Sequence, residues 1–415
     1  MMKRKLIMQM RNEWRSNVWM MVEILVVGLV LWVSFAILCG LYVSYHKPVG
    51  ADYADIYVGS IGKIEEGRDS YAAYDDNHSY KTDIRMLLAN LANNPNVEIA
   101  GLGSNALPYS YNFHGSRLKT EINGKTELYN CNVRVMSPEV IKAIRLRGIN
   151  GETPEQLAGI VAGGGYIISV ADYAGEDSNP LSWRGKEASS WRDSTDVHTV
   201  GAIVNPIRRT DYEPAFGNLI RYDENDNMSE VIVRVKEGRG DEFIASLSGS
   251  NLEFGNVYVS NMMSLDDIRE ECHRNISTQI RNVATCVVFV LVSVFLGFLG
   301  TFRYRTQQRV PEQALRKVCG ATNADLFRRL IGEGLLLLVI PAILMVPAGL
   351  AASDIVNQSG SQDEIIIGGV YVTTAALWCA FAMSVAALAL IIIAGIWMPA
   401  RKSMRVEPSV ALNDQ

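Results

Sequence analysis

The chain has 415 residues, 48% of them hydrophobic and 20% charged, with a formal net charge of −5. Its six cysteines are scattered through apolar and polar stretches alike, which excludes a disulfide framework. The net negative charge gives no reason to expect a nucleic-acid partner.

Residues 3–17 place Leu6, Ile7, Met10 and Trp14 at helical spacing with bases on the opposite face. That pattern predicts a cytoplasmic amphipathic helix over 1–18 lying in the membrane interface, with a disordered basic tail as the alternative. A first apolar run, 19–43, is long enough to cross a bilayer of about 30 Å as a helix. It is too long for a secretion signal, lacks an A-x-A site, and Leu38 is too bulky to precede a lipidated Cys39. An uncleaved anchor is the expectation.

The polar stretch 45–279 is long enough to bury its own core, in one domain or two subdomains. Residues 84–103 read as a helix, an Asn-Pro turn and a strand, and 137–148 as a short helix with Ser137 as N-cap, Pro138 at N1 and Gly148 at its end. Strands are predicted at 166–170, 198–205, 231–235 and 256–260, and a helix over 238–250. Alternation of this kind indicates an α+β domain. Three further apolar runs follow, at 283–302, 330–352 and 372–397. The second of them carries Pro341 and Pro347, which predicts a kinked span rather than a broken one. The fold class is therefore an α-helical membrane protein with four transmembrane helices and a large extracytoplasmic α+β domain inserted between helices 1 and 2.

Charge orients the spans. Residues 1–18 carry five bases against Glu13, and the 303–329 loop carries seven bases against Glu312 and Asp325. The tail, 398–415, is mildly basic, whereas the 353–371 loop has Asp354, Asp363 and Glu364 and no base. The 45–279 domain holds 34 acids and 23 bases. Both termini and the 303–329 loop are expected in the cytoplasm, and the large domain and the 353–371 loop outside. Only Cys131 and Cys272 would then share the outer compartment, as a disulfide or as two unpaired, partly buried thiols.

Intrinsic chemistry is scarce. Gly124-Lys125-Thr126 resembles the end of a P-loop, but Lys119 stands where the first glycine belongs. Gly101 to Ala106 fits G-x-G-x-x-A, yet Pro108 and aromatics follow instead of a helix, so a plain turn is the alternative. Histidines 46, 78, 114, 198 and 273 form no H-x-H or H-E-x-x-H pair, and no metal site is expected. Two carboxylates, Glu23 and Glu333, fall inside spans near their cytoplasmic ends. Ion pairing with Arg15, Arg328 or Arg329, coupling of helix motion, and a proton relay are the three readings.

The 303–329 loop has internal logic. Pro311 and Glu312 suit a first helical turn, and Arg316 and Lys317 sit near its C-terminus. Gly320 can supply a left-handed cap, and Thr322 or Asn323 can cap a second helix running into the third span. A coupling helix and a solvated, lipid-attracted loop both fit these residues.

Arg309, Glu312, Ala314, Leu315, Arg316, Lys317, Gly320, Ala321, Thr322, Asp325 and Glu333 match the cytoplasmic loop of MacB/FtsX-type ABC transporter permeases. The run from Pro399 to Leu412 resembles the tail of that family, and His198 to Val204 with Val231 to Gly240 resemble its MacB-like core domain more loosely. Gln313 stands where the family usually has isoleucine, and Pro311 is atypical of it. The resemblance implies a permease subunit, not itself an enzyme, that pairs as a homodimer or heterodimer in the bacterial inner membrane. It implies a separate ATP-binding subunit, with ATP and magnesium bound there, contacted through Glu312, Leu315, Arg316, Lys317, Gly320, Ala321 and Thr322, and it leaves room for a periplasmic adaptor. Motion of that ATPase would be transmitted to the outer domain for efflux or export of peptides, lipoproteins or toxic compounds. The lack of polar residues in the second and fourth spans fits transmission better than a hydrophilic pore. The alternatives are an FtsX-like regulator of an envelope enzyme and a membrane-anchored sensor.

Overall fold

The computed structural model describes residues 14–404 except 69–70, 76–78, 111–113, 172–178, 225–227, 248–251, 309–314, 357–363 and 368–369. Most of the amphipathic helix expected over 1–18 therefore lies outside the described residues, as do His78, Pro311, Glu312, Gln313, Ala314 and most of the tail. The chain divides into two compact units, residues 1–43 with 277–415, and residues 44–276.

The first unit contains four helices long and apolar enough to cross a membrane. They lie in α1 (Trp14–Tyr45), α6 (Leu265–Gln308), α7 (Asn323–Val356) and α8 (Thr374–Met404). A helix pairs most of its backbone groups within itself, the condition hydrocarbon imposes. Pro341 and Pro347 both sit inside α7, which continues through them as expected. Ile24, Leu31, Phe298, Leu388 and Ile392 form the centre of the bundle core. Small residues set the helix spacing there. A Cβ on Gly28 would lie 2.6 Å from Met345 Sδ, and one on Gly349 would overlap the Trp32 ring. That ring is itself anchored, since Trp32 Nε1 donates to Leu377 O at 2.9 Å.

Helix α6 starts at Leu265, well ahead of the apolar run at 283–302 that it contains, because the charged stretch before that run is helical too. The acidic 353–371 loop holds a hairpin, Glu364–Ile367 with Val370–Thr373, where no strand was expected.

The inserted unit is built on β1 (Ile56–Lys63), β2 (Val97–Ser104), β3 (Gly115–Ile122), β4 (Lys125–Met136), β5 (Tyr166–Ser169), β6 (Glu187–Ser190), β7 (Val197–Val204), β8 (Asn218–Arg221), β9 (Glu230–Val235), β10 (Glu253–Phe254) and β11 (Val257–Ser264). Among the described residues these eleven strands run in the order β10-β11-β1-β9-β2-β4-β3-β6-β7-β5-β8, and β8 pairs back onto β4. The last six strands thus close into a small barrel, filled by Leu118, Tyr129, Ile168, Trp183 and Ile203. The first five form an open antiparallel sheet, joined to the barrel by the short Gly103↔Met136 and Ser104↔Val135 ladder.

Helix α2 (Tyr80–Ala92) packs Leu87 and Leu91 with Val231 and Val233 of β9. Helices α3 (Pro138–Ala143) and α4 (Pro154–Ala162) build a second core with Ile56, Ile207 and Leu265. Helix α5 (Gly240–Ser246) carries Phe243 into the first.

Several readings are resolved here. Gly124 is the second residue of a tight hairpin turn, with Asn123 at φ 53 and Gly124 at φ 74, so G-K-T is a turn glycine followed by the first two residues of β4. Gly101 and Gly103 lie in β2 with no helix after them; a Cβ on Gly101 would sit 2.8 Å from Val140 Cγ2 of α3. Helix α3 stops at Ala143, ahead of the expected Gly148, because Arg145 takes the left-handed conformation at φ 48. Ser137 flanks α3, but its Oγ accepts from Leu102 N at 3.2 Å and makes no cap bond. Cys131 and Cys272 are both free thiols, the first in the barrel core and the second against the α3–α4 core. Burial pushes the Cys131 thiol up to about 12.

Gly349→Ala should cost about 1–3 kcal/mol by overpacking Trp32, read as a lower thermal midpoint in detergent. Adding Trp32→Leu should recover part of that loss, and a loss unaffected by the second change would place the clash elsewhere.

Candidate functional site

The basic turn before α7 is built from two interlocking caps. Residues 315–318 are helical, and Gly320 follows at φ +91. Gly320 N donates to Lys317 O at 2.9 Å and Ala321 N to Arg316 O at 3.0 Å. This pair of bonds is the Schellman arrangement, which closes a helix only when the residue in Gly320's place tolerates positive φ. Thr322 then opens α7. Its Oγ1 accepts from Asp325 N at 3.2 Å, and Thr322 N donates back to Asp325 Oδ2 at 3.2 Å. This is a reciprocal capping box, with Asp325 in the place usually held by glutamate. Of the two caps the sequence allows, Thr322 is the one used.

The turn presents an apolar pair to solvent: Leu315 is 57% exposed and Val318 64%. They lie three positions apart, hence on one helix face. Arg316 and Lys317 are half-buried between them. Ala321 is half-buried and Thr322 exposed, while Glu312 lies outside the described residues. The intramembrane acids separate in character. Glu333 accepts from Arg329 Nε at 3.1 Å, one turn away on the same helix. Glu23 of α1 faces α6, its Oε1 3.4 Å from where a Cβ on Gly297 would stand.

A second cluster, absent from the sequence reading, lies in the inserted unit on the loop between β7 and β8. Arg208 is 2% exposed and donates to four backbone carbonyls: Ser44 O at 2.8 Å, Lys47 O at 3.0 Å, Asp211 O at 2.7 Å and Glu213 O at 2.8 Å. Ser44 belongs to the last turn of α1, where carbonyls lack helical partners and cations are favoured.

Three residues on, Asp211 is 1% exposed. Its carboxylate accepts from Tyr109 Oη at 3.1 Å and from Arg269 Nε at 2.8 Å, and His273 Nε2 lies 2.7 Å from it. Arg269 and His273 are one turn apart on α6. The imidazole is ringed by Tyr45, Tyr109 and Tyr212, with centroids at 6.3, 5.9 and 5.1 Å. Tyr109 is held at φ 64, a strained conformation for a bulky residue, and burial beside Asp211 pushes its phenol up. One loop therefore grips residues 44–47 through Arg208 and residues 269–273 through Asp211. Only the charge density of Arg208-Arg209-Thr210-Asp211-Tyr212-Glu213 between two strands signals this in the sequence. Among the described residues no group of three or more His, Cys, Asp or Glu is placed to hold a metal ion.

Comparison with known proteins gives a family match over part of the chain. Residues 284–408 match the FtsX-like permease C-terminal family. No curated protein matches. A solved structure described as the extracellular domain of the noncanonic ABC-type transporter YknZ from Gram-positive bacteria aligns over 49% of this chain and 100% of its own, at 8% identity and a TM-score of 0.29. A score that low does not establish a shared fold.

Arg208→Met should cost about 3 kcal/mol or more, because several buried carbonyls lose a charged donor at once. The readout is thermal unfolding in detergent, with exposed Lys125→Met as the control. Equal midpoints for the two variants would mean that the grip on residues 44–47 carries no stability.

Proposed function

We propose that this chain is the permease subunit of an ABC transporter, and that the turn at 315–322 is where a separate ATP-binding subunit pushes. The FtsX-like permease region at 284–408 supports the permease reading. The observation that carries the coupling reading is the doubly capped turn itself. A lipid-attracted loop needs bases but no fixed geometry, whereas this turn is locked by Gly320 and Thr322 and presents Leu315 and Val318 outward.

In this reading the partner's surface accepts the Leu315–Val318 pair, with Arg316 and Lys317 flanking it and Glu312 leading into it. The second cap joins the turn directly to α7, so a displacement of the turn displaces the start of that helix. ATP and magnesium sit on the partner. The Arg329–Glu333 pair stiffens the first turns of α7, which favours ion pairing over proton transfer. The charge bias supports a reading in which both termini and the turn face the cytoplasm and the inserted domain lies outside the inner membrane. Two copies, or this chain and a related permease, would stand over two ATP-binding subunits. The Arg208 and Asp211 grips fix both ends of the inserted domain to one loop, which suits transmission toward efflux or export of peptides, lipoproteins or toxic compounds. An FtsX-like regulator would use the same turn and grip without cargo.

Two outcomes test this. Gly320→Val forces a branched residue into the left-handed region at about 1–2 kcal/mol. It should lower permease-dependent ATPase stimulation about tenfold in the co-purified complex while membrane insertion is unchanged; full stimulation would remove the turn from the coupling path. Cys319, exposed beside the turn, should react with an impermeant maleimide in inside-out vesicles only. Labelling of Cys319 in intact cells would reverse the orientation.

A further inference from the structure

A cavity of about 820 Å³ opens in the inserted unit where residues 47–52, the stretch after α3 and the stretch after β7 converge. Its lining holds four bases, Lys47, Arg145, Arg147 and Arg208, and a single carboxylate, Asp52. Asp52 is already engaged, accepting from Arg145 Nη1 at 3.1 Å and from Arg234 Nη2 at 2.7 Å. The remaining wall is largely apolar, with Val49, Pro206 and Ala215. Backbone bonds fix the frame: Arg208 N donates to Val49 O and Asp52 N to Ile144 O, each at 3.0 Å. The domain around this cavity is strongly acidic, so a basic, half-apolar hollow runs against its overall charge.

The position of the cavity along the chain narrows the ligand. Lys47 lies four residues beyond Val43, the end of the first apolar run. Four residues reach at most about 14 Å, so one wall of the cavity stays at or close to the headgroup layer, which adds about 5–8 Å to each side of the hydrocarbon. Guanidinium groups suit phosphate oxygens, and the apolar wall suits a glycerol backbone and the first methylenes of an acyl chain.

We propose that this cavity takes the phosphate headgroup of an anionic membrane lipid, with Arg147 and Lys47 on the phosphate and Val49, Pro206 and Ala215 against the start of the chains. The ligand would sit beside Arg208, the residue that holds Ser44 O and Lys47 O, so occupancy would bear on the same grip. The proposal holds whichever partner docks at the 315–322 turn.

The test uses the full chain in phosphatidylcholine nanodiscs carrying a headgroup-photoreactive phosphatidylglycerol, with the labelled peptides mapped by mass spectrometry. Adducts should fall on the peptides containing Lys47–Asp52 and Arg145–Arg147. They should drop about tenfold in Lys47→Gln/Arg147→Gln while the thermal midpoint stays the same. In the wild-type chain, unlabelled phosphatidylglycerol should compete the adducts away, which keeps the test decisive if the double variant fails to fold. Equal labelling by a photoreactive phosphatidylcholine, or undiminished labelling of a folded double variant, would overturn the proposal. Displacement by free glycerol phosphate would overturn the lipid as occupant and leave a soluble phosphate compound in its place.

Discussion

Where a helix leaves hydrocarbon, its last carbonyls and first amides need partners, since an unpaired peptide group costs free energy wherever water is scarce. This chain meets that demand with fixed motifs at the ends that matter. Arg208 takes Ser44 O at the end of α1. Gly320 closes the short helix before α7, and Thr322 with Asp325 opens α7 immediately afterwards. A cap made by solvent would leave these ends free to swing. Caps made by the chain hold each of these ends in one local conformation.

The same demand accounts for the loop between β7 and β8. A buried guanidinium is stable only when its donors are met, and carbonyls from two separate stretches meet four of them at once. Asp211 then makes the complementary contact to Arg269 and His273, with Tyr109 held in a strained conformation to complete it. Two charges of opposite sign, three residues apart, thereby fix the two ends of the inserted unit to one loop. The barrel supplies the stiffness behind that loop, because β7 and β8 are both members of its closed ring of strands.

Legibility in the sequence followed the range of the interactions. The four spans could be read because each is a local composition signal, and the Gly320 and Thr322 caps because each is closed within six residues of chain. The Asn123-Gly124 hairpin is equally local, a two-residue Asn-Gly turn between Ile122 and Lys125. The polar first part of α6 leaves no hydropathy signal, because hydropathy marks where a span begins, not where its helix begins. Closure of the barrel through β4 and β8 pairs residues such as Arg134 and Ile220, far apart in the chain, and leaves no periodic trace. The Arg208 grip is longer in range still, linking position 208 to 44, and the Asp211 grip joins 211 to 269. Of the candidate contact residues, Leu315, Arg316, Lys317, Gly320, Ala321 and Thr322 do converge on one turn, held together by backbone bonds that their spacing implied.

The central claim is that the exposed face of that turn is a protein contact. Photo-crosslinking from p-benzoylphenylalanine placed at Leu315 or Val318 of the full chain, in its native membrane, tests it most directly. A single adduct is expected from both positions, identified by mass spectrometry as a protein carrying an ATP-binding cassette, and none from a probe at Lys125 of the inserted domain. Adducts to lipid alone from positions 315 and 318 would contradict it.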